Sequence, residues 1–193
     1  MAIIFGRFIR LIFFLITFTF SFVSQANSLQ VLSYDLPKIH PQVENLLKSD
    51  VEPEGVVFDI ETLDSKGLVS LTQYVTSQVE LVKQAFPSVD IAIVSHGAEE
   101  FALQTTASDK YADVHNLFSE LVSTKEVSVH VCGAVGSLKN LTQEDFPEFV
   151  SYSASGLAQI NDYKALGYTV IVIKELTDKQ RKALFNQPKD YIK

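Results

Sequence analysis

Residues 89–97 read V-D-I-A-I-V-S-H-G, a short apolar run that ends in a histidine and a glycine. Four further runs of this kind lie at residues 55–60, 126–131, 149–154 and 168–174. They are rich in Val and Ile and do not alternate strictly between apolar and polar residues. This pattern is typical of strands that are buried on both faces of a parallel sheet.

Helical patterns separate these runs. Between residues 65 and 86 the apolar residues recur every three or four positions, which predicts a long helix with one buried face. The sequence also predicts a helical region up to residue 124, broken near residue 108, and a helix at 156–166 that Ser155 caps and Gly167 ends. We therefore predict an α/β fold of three layers (α/β/α), with a mainly parallel five-stranded sheet in the middle.

The first 26 of the 193 residues have the features of a secretory signal peptide. Arg7 and Arg10 precede an apolar run at residues 11–23, and Ser24 and Ala26 supply the small residues of a cleavage site. The run is shorter than the roughly 20 residues of a membrane-spanning helix. We therefore expect cleavage after Ala26, a periplasmic or secreted protein, and membrane contact only before cleavage, with an uncleaved anchor as the alternative.

Three regions follow this segment. Residues 27–54 are predicted to be an N-terminal extension with one short helix near 42–48, and residues 55–174 to be the α/β domain. Residues 175–193 form a C-terminal extension whose pattern at 177–185 indicates a polar helix. The organisation is thus that of one domain with an extension at each end.

The net charge of the chain limits which partners it can bind. The formal net charge is −7, and it becomes −9 when the predicted signal peptide, with its two arginines and no acidic residue, is removed. Lys and Arg form no cluster, whereas phosphate recognition needs local positive charge. The composition therefore argues against a nucleic-acid partner.

Residue Cys132 is the single cysteine of the chain, so no disulfide can form within one molecule. Three alternatives remain for its thiol. It is buried and inert, it is joined to another chain, or it is kept for chemistry.

Chemically useful residues follow four of the predicted strands. In parallel sheets ligands bind at the carboxyl ends of the strands, where helix N-termini point into the crevice. The residues at these ends are Asp59 and Glu61, His96 and Gly97, Cys132 and Gly133, and Ser155 and Gly156.

Among these residues Cys132 is the first candidate for catalysis. A helix that begins just after a strand end can stabilise a thiolate through its backbone N–H groups. His130 lies two residues before Cys132 and so faces the same side of the strand, where an imidazolium could favour the thiolate. His96 is a candidate proton donor. Each also has a structural alternative, because a free cysteine is often core and a lone histidine often bonds to the backbone.

Several common sites are missing from the sequence. The four histidines and the one cysteine show no short metal-ligand spacing, and there is no P-loop, G-x-G-x-x-G or G-x-S-x-G motif. We therefore expect no metal and no cofactor.

Four stretches together resemble the DsrE/DsrF-like sulfur-relay family. They are V56-V-F-D59, I91-A-I-V-S-H-G97, V129-H-V-C-G133, and V150-S-Y-S-A-S-G-L-A-Q-I160 with L166-G-Y168, and the resemblance spans roughly residues 55–174. It implies a five-stranded α/β/α fold and homo- or hetero-oligomers. It also implies a cysteine, here Cys132, that accepts sulfane sulfur as a persulfide and passes it to a partner protein.

Two main functions follow from these observations. The first is sulfur transfer on Cys132, with His130 and His96 as catalytic residues and with Asp59, Gly97, Gly133, Ser155 and Gly156 as binding residues. The second is a non-catalytic binding or assembly module, a homo-oligomer in which the cysteine is structural. A redox sensor with a disulfide between subunits is a third possibility.

Overall fold

A computed structural model describes residues 36–191 of the chain. The predicted signal peptide and the first residues of the predicted N-terminal extension lie outside this part. The described helices are α1 (Pro41–Leu47), α2 (Lys66–Ala85), α3 (Ala112–Lys125), α4 (Gly133–Gly136), α5 (Gly156–Ala165) and α6 (Asp178–Asn186). Within residues 36–191, none of the helices has the length and apolar character that crossing a bilayer requires.

The sheet has five strands, all parallel. They are β1 (Gly55–Ile60), β2 (Asp90–Ser95), β3 (Val127–Cys132), β4 (Val150–Ser153) and β5 (Thr169–Lys174), in the order β4-β3-β2-β1-β5. Each strand lies within one or two residues of its predicted bounds. The predicted fold class is confirmed. The Val/Ile runs form backbone hydrogen bonds with neighbouring strands, and helices on each side of the sheet bury their side chains.

Helices α2 and α3 cover one face of the sheet, and α5 covers the other. Leu71 and Val79 of α2 and Phe118 of α3 are fully buried against Phe58 and Ile93 of the sheet. On the opposite face Ile160 of α5 packs with Val57, Ala92 and Val94. The α2 residues predicted to form the buried face are indeed in the core, and Phe86 at the end of the pattern is partly buried there.

Short 3₁₀ segments follow β2 where the sequence predicted a longer helical region. They occupy Ala98–Leu103 and Thr105–Ala107, and the regular helix α3 begins only at Ala112. All six residues of Ala98–Leu103 are buried, including Glu99 and Glu100. The segment is therefore buried where the strands end, and the side chains of Glu99 and Glu100 need hydrogen-bond donors there.

Glutamine side chains bind the free edges of both outer strands. Gln42 of α1 donates to the carbonyl of Val170 at 3.1 Å and accepts from the N–H of Val172 at 2.9 Å, on β5. Gln143 makes the equivalent pair of bonds to Val150 and Tyr152 of β4, at 2.9 Å and 2.7 Å. These bonds satisfy edge groups that would otherwise offer a place for another strand to pair.

The turn after α5 shows the predicted glycine signal. Gly167 has φ 89°, in the left-handed region that side chains with a Cβ avoid. It ends α5 in the manner of a C′ glycine and lets the chain turn into β5. At the other end of α5 the hydroxyl of Ser155 accepts the N–H of Ala158 at 3.3 Å, as the predicted cap requires.

Candidate functional site at the carboxyl edge of the sheet

The carboxyl ends of β1 and β2 meet through a histidine–carboxylate pair. Nε2 of His96 lies 2.6 Å from Oδ1 of Asp59, and both residues are buried. The other ring nitrogen, Nδ1, lies 3.7 Å from a carboxylate oxygen of Glu61. Two residues that the sequence placed at separate strand ends are thus in direct contact, because β1 and β2 are neighbours in the sheet.

Opposing effects set the pKa of His96. Burial alone would lower it, but the hydrogen bond to Asp59 and the negative charges of Asp59, Glu99 and Glu61 outweigh burial and raise it. A raised pKa favours the imidazolium. An imidazolium held between Asp59 and Glu61 is compatible with the predicted role of proton donor and equally with a structural ion pair.

The C-terminal extension is attached to this edge through Glu61. Arg181 of α6 donates from Nε and Nη2 to the two oxygens of Glu61, at 2.7 Å and 2.6 Å, and the N–H of Leu176 adds a third bond at 3.0 Å. Glu61 is almost completely buried, with 2% of its side chain exposed. We call residues 175–191 the C-terminal arm; its attachment at Glu61 lies at the carboxyl ends of β1 and β5.

Glu99 binds the loops that follow β1 and β2. One oxygen accepts from the hydroxyl of Ser95 and the N–H of Gly97, both at 2.9 Å, and the other accepts from the N–H of Thr62 at 2.6 Å. Gly97 is needed here, since a Cβ would press against Glu99 and the backbone of Thr62. Burial still raises the pKa of Glu99. Glu99 therefore connects the ends of β1 and β2 through hydrogen bonds.

Glu100 binds the end of β3 in a similar way, but with only one of its two oxygens. Oε2 accepts the N–H of Cys132 at 2.9 Å, whereas Oε1 is buried and has no hydrogen-bond partner among the described residues. Burial raises the pKa of Glu100 well above its usual range. A buried carboxyl group with a free oxygen therefore lies beside the cysteine.

Cys132 is the last residue of β3 and is 5% exposed. It belongs to a cluster of buried apolar side chains that also contains Phe101, Val135 and, from the C-terminal arm, Leu176 and Leu184. The thiol thus lies at the predicted edge of the sheet, in a buried cluster to which the C-terminal arm contributes side chains.

The first residue of α5 packs between Cys132 and His96. A Cβ on Gly156 would lie 3.4 Å from Cβ of Cys132 and would collide with Cβ of His96, so the position admits only glycine. The sequence suggested that the helix after Cys132 would stabilise a thiolate. That helix, α4, has only four residues, and the longer helix beside the cysteine is α5. Its N-terminus, at Gly156, brings the positive end of a helix dipole to this edge.

His130 bonds to residues other than Cys132. Its Nδ1 lies 3.2 Å from the hydroxyl of Ser153, and its Nε2 lies 2.8 Å from the hydroxyl of Tyr163 on α5. Burial lowers the pKa of His130, which favours the neutral ring. In this geometry the imidazolium expected from the sequence is disfavoured, and His130 joins β3 to β4 and α5.

The predicted binding residues have local contacts. Gly133 lies against the ring of Tyr152, where a Cβ would come within 2.8 Å. The hydroxyl of Tyr152 donates to the carbonyl of Gly133 at 3.2 Å. Gly133 and Gly156 thus pack next to Cys132, whereas Gly97 packs against Thr62 and Glu99, and Ser155 bonds within α5.

A cavity of about 580 Å³ opens beside this edge. It shares Leu63 and Tyr191 with the group of side chains around Cys132. Lys66 and Lys110 bring positive charge to its wall, and Asp64 and Asp190 bring negative charge. Within residues 36–191, His, Cys, Asp and Glu side chains form no group of three or more arranged to hold a metal ion.

Comparison with known proteins shows the fold of the chain but no family. No protein-family description matches the sequence, and no curated protein matches it significantly. Among solved structures, the protein of unknown function MTH1491 from Methanobacterium thermoautotrophicum is similar in fold, with a TM-score of 0.50 and 23% sequence identity. The similarity covers 61% of this chain and 96% of that one. It supports the α/β/α architecture and carries no information on activity.

Sequence reasoning missed three residues of this edge: Glu99, Glu100 and Arg181. A weak signal was present for the first two, since H96-G-A-E-E100 places two acidic residues directly after a buried strand. Nothing in the sequence marked Arg181, because its partner Glu61 lies 120 residues away.

Proposed function

We propose that Cys132 accepts sulfane sulfur as a persulfide and passes it to an acceptor thiol. The observation that carries this proposal is the position of Cys132 at the carboxyl end of β3, beside Gly156 of α5 and the bound carboxyl of Glu100. The resemblance of the V129–G133 stretch to sulfur-relay proteins supports the same chemistry.

The reaction is an exchange between sulfur atoms. The Cys132 thiolate attacks the outer sulfur of a donor persulfide R–S–SH, so that a new S–S bond forms and the donor S–S bond breaks, and the donor leaves as a thiol after taking a proton. An acceptor thiolate then attacks the outer sulfur on Cys132 and restores the Cys132 thiolate. The sulfane sulfur moves without net oxidation or reduction.

We expect the thiol to become accessible through a movement of the C-terminal arm. Cys132 is 5% exposed, and Leu176 and Leu184 pack in the same cluster of side chains. Local opening of a terminal segment costs less than global unfolding, so such a movement is compatible with a stable domain. We therefore place the sulfur-accepting state in the population with an open arm.

The direct test measures the mass of the purified chain after incubation with polysulfide. We expect a gain of one sulfur atom that dithiothreitol removes and that Cys132→Ser abolishes, while Ser153→Ala, at the paired position of β4, retains it. Because the chain has one cysteine, any adduct reports on this position. Failure to form an adduct with polysulfide or with a low-molecular-weight persulfide would refute the proposal.

The burial of Cys132 favours a second candidate, a non-catalytic assembly module with a structural cysteine. In that case the native thiol does not react with thiol reagents, and Cys132→Ala lowers stability without changing any activity. A native thiol that reacts within minutes, at a rate that differs from global unfolding, would exclude this candidate.

We further propose that the chain is a homo-oligomer that functions in the periplasm or outside the cell. Leu157 of α5 and Leu166, directly after α5, are 46% and 66% exposed and support a contact between copies on the face covered by α5. The N-terminal sequence supports export. Light scattering of the purified chain tests the oligomer, and a monomer would refute it. N-terminal sequencing of the protein from cell fractions tests export, and a protein that still begins at residue 1 would refute it.

A further inference from the structure

Glu99 and Glu100 are adjacent buried carboxyl groups with different hydrogen bonding. Glu99 accepts three hydrogen bonds with its two oxygens, so its burial is compensated. Glu100 is equally buried, with 0% exposure, yet only Oε2 has a partner. Oε1 has none among the described residues. The unpaired oxygen needs an explanation, because buried polar atoms are nearly always bonded.

An unpaired buried carboxylate is an unstable arrangement in a protein. Desolvation of the charge is expensive, and such a group usually takes up a proton instead. Burial raises the pKa of Glu100 well above its usual range, which favours the neutral acid. In the neutral acid, Oε2 still accepts the N–H of Cys132, and the O–H group on Oε1 is a donor without an acceptor.

The free oxygen belongs to a carboxyl group that lies next to Cys132. The carboxyl group is bonded to the main-chain N–H of Cys132 itself, and Cys132 belongs to a buried apolar cluster. The titratable groups that face Glu100 are Glu99 on its own segment, Cys132 at the end of β3 and Tyr152 on β4. The hydroxyl of Tyr152 has one proton, which it shares between the carbonyls of Leu141 and Gly133 at 2.8 Å and 3.2 Å. Of the groups that face Glu100, the thiol of Cys132 is the one that takes part in the proposed reaction, although its sulfur makes no hydrogen bond to Oε1 in the described state.

We propose that Glu100 is the proton carrier of this site, and that its free oxygen Oε1 exchanges a proton with the sulfur atoms at Cys132. The inference rests on the proposed function and adds one residue to it. When the Cys132 thiolate attacks R–S–SH, the O–H of Glu100 gives its proton to the departing RS⁻, which leaves as RSH. The Glu100 carboxylate then takes the proton of the new Cys132–S–SH group. The acid is regenerated, and Cys132 carries the persulfide anion S–S⁻, so that charge and protons are conserved in the loading step. In the transfer step the proton of the acceptor thiol R′–SH ends on the outer sulfur, and Cys132–S–S⁻ and R′–SH become Cys132–S⁻ and R′–S–SH.

The variant Glu100→Gln separates this role from a structural one. The amide oxygen of glutamine can accept the N–H of Cys132, and its NH₂ group fills the place of the free oxygen, but it carries no transferable proton. General acid–base catalysis contributes about 100-fold or more, so we expect sulfur loading from a persulfide donor to slow by about that factor while the final extent is unchanged. Glu120→Gln, an exposed position on α3, is the matched control and should load as fast as wild type.

A second measurement uses the pH dependence of alkylation by iodoacetamide. Groups that exchange a proton titrate as a coupled pair. The alkylation rate of wild-type Cys132 should therefore rise with pH in two steps, and that of Glu100→Gln in one. This readout does not depend on sulfur transfer, and a single step in the wild type refutes the role of Glu100 even if the variant does not fold.

The outcomes are distinguishable. If the wild type takes up no sulfur but shows the two-step profile that the variant lacks, the proposed function fails and the proton exchange stands. If the wild-type profile has a single step, or the variant loads sulfur within about twofold of the wild-type rate, the role of Glu100 is refuted. A native thiol that reacts with neither reagent refutes both proposals.

Discussion

Replacing Arg181 with methionine should release the C-terminal arm from the carboxyl edge and expose Cys132. Arg181 makes two short bonds to Glu61, at 2.7 Å and 2.6 Å, while its own side chain is 23% exposed. Methionine retains most of the apolar stem and removes the charge. The variant leaves Glu61, 2% exposed, with the N–H of Leu176 as its remaining close hydrogen-bond donor.

The size of the effect follows from the burial of the two partners. Removing one partner of a fully buried ion pair costs about 3–5 kcal/mol. Because Arg181 is partly hydrated and Glu61 keeps one hydrogen bond, we expect about 2–3 kcal/mol less stability for the attachment of the arm. About 2 kcal/mol corresponds to a roughly 30-fold larger open fraction, since each 1.4 kcal/mol is tenfold. The reaction of Cys132 with a thiol reagent should accelerate by about that factor.

The assay is the rate at which native protein reacts with 5,5′-dithiobis(2-nitrobenzoate), together with urea unfolding. The signal has one source, because the chain has one cysteine. Lys182→Met removes a neighbouring, exposed charge of α6 and should leave both quantities near wild type. If Arg181→Met reacts no faster than Lys182→Met, the arm does not control access to the thiol, and the reasoning is wrong.

Three further predictions follow from the same edge. Glu99→Gln should lower the free energy of unfolding by about 1–3 kcal/mol, because an amide cannot accept all three hydrogen bonds; an unchanged urea midpoint would contradict this. Burial raises the pKa of Glu100. The Glu100 carboxyl is therefore still protonated in the folded chain at pH values above about 4.3, where the unfolded chain has released this proton. Stability should therefore fall as pH rises from that value through the raised pKa, by at most about 1.4 kcal/mol per pH unit for this group. Glu100→Gln should lose this part of the slope in urea titrations at several pH values, and an identical slope would show that Glu100 ionises normally. Gly156→Ala should cost about 1–3 kcal/mol, because the new Cβ collides with Cβ of His96; thermal unfolding at the wild-type temperature would mean that α5 can shift away.

Much of the fold was predictable because its signals are local. A strand buried on both faces must be apolar along its length, and the five Val/Ile runs show this directly. A helix that covers a sheet must be apolar on one side, as residues 66–85 are. Caps and turns such as Ser155 and Gly167 add signals of one or two residues. These features fixed the order and type of the main elements and the α/β/α class.

The 3₁₀ segment after β2 was less predictable. Its sequence A98-E-E-F-A-L103 suits a helix, and the sequence offered no reason to bury two glutamates. The carboxyl edge of the sheet supplies that reason, because its loops expose N–H groups that need acceptors. Glu99 and Glu100 satisfy several of these groups at the ends of β1, β2 and β3.

The sequence by itself determined that Asp59, His96 and Cys132 lie at the carboxyl ends of their strands, because parallel strands end on the same side of a sheet. Only the tertiary structure decided which of them touch. The strand order places β1 beside both β2 and β5, so Asp59 meets His96, and the chain after β5 returns to Glu61 with Arg181. The tertiary structure also placed Cys132 in one buried cluster with side chains of the C-terminal arm, beside a carboxyl group with one free oxygen. Periodicity reports the local environment of a segment, whereas contacts between distant residues depend on how whole layers pack.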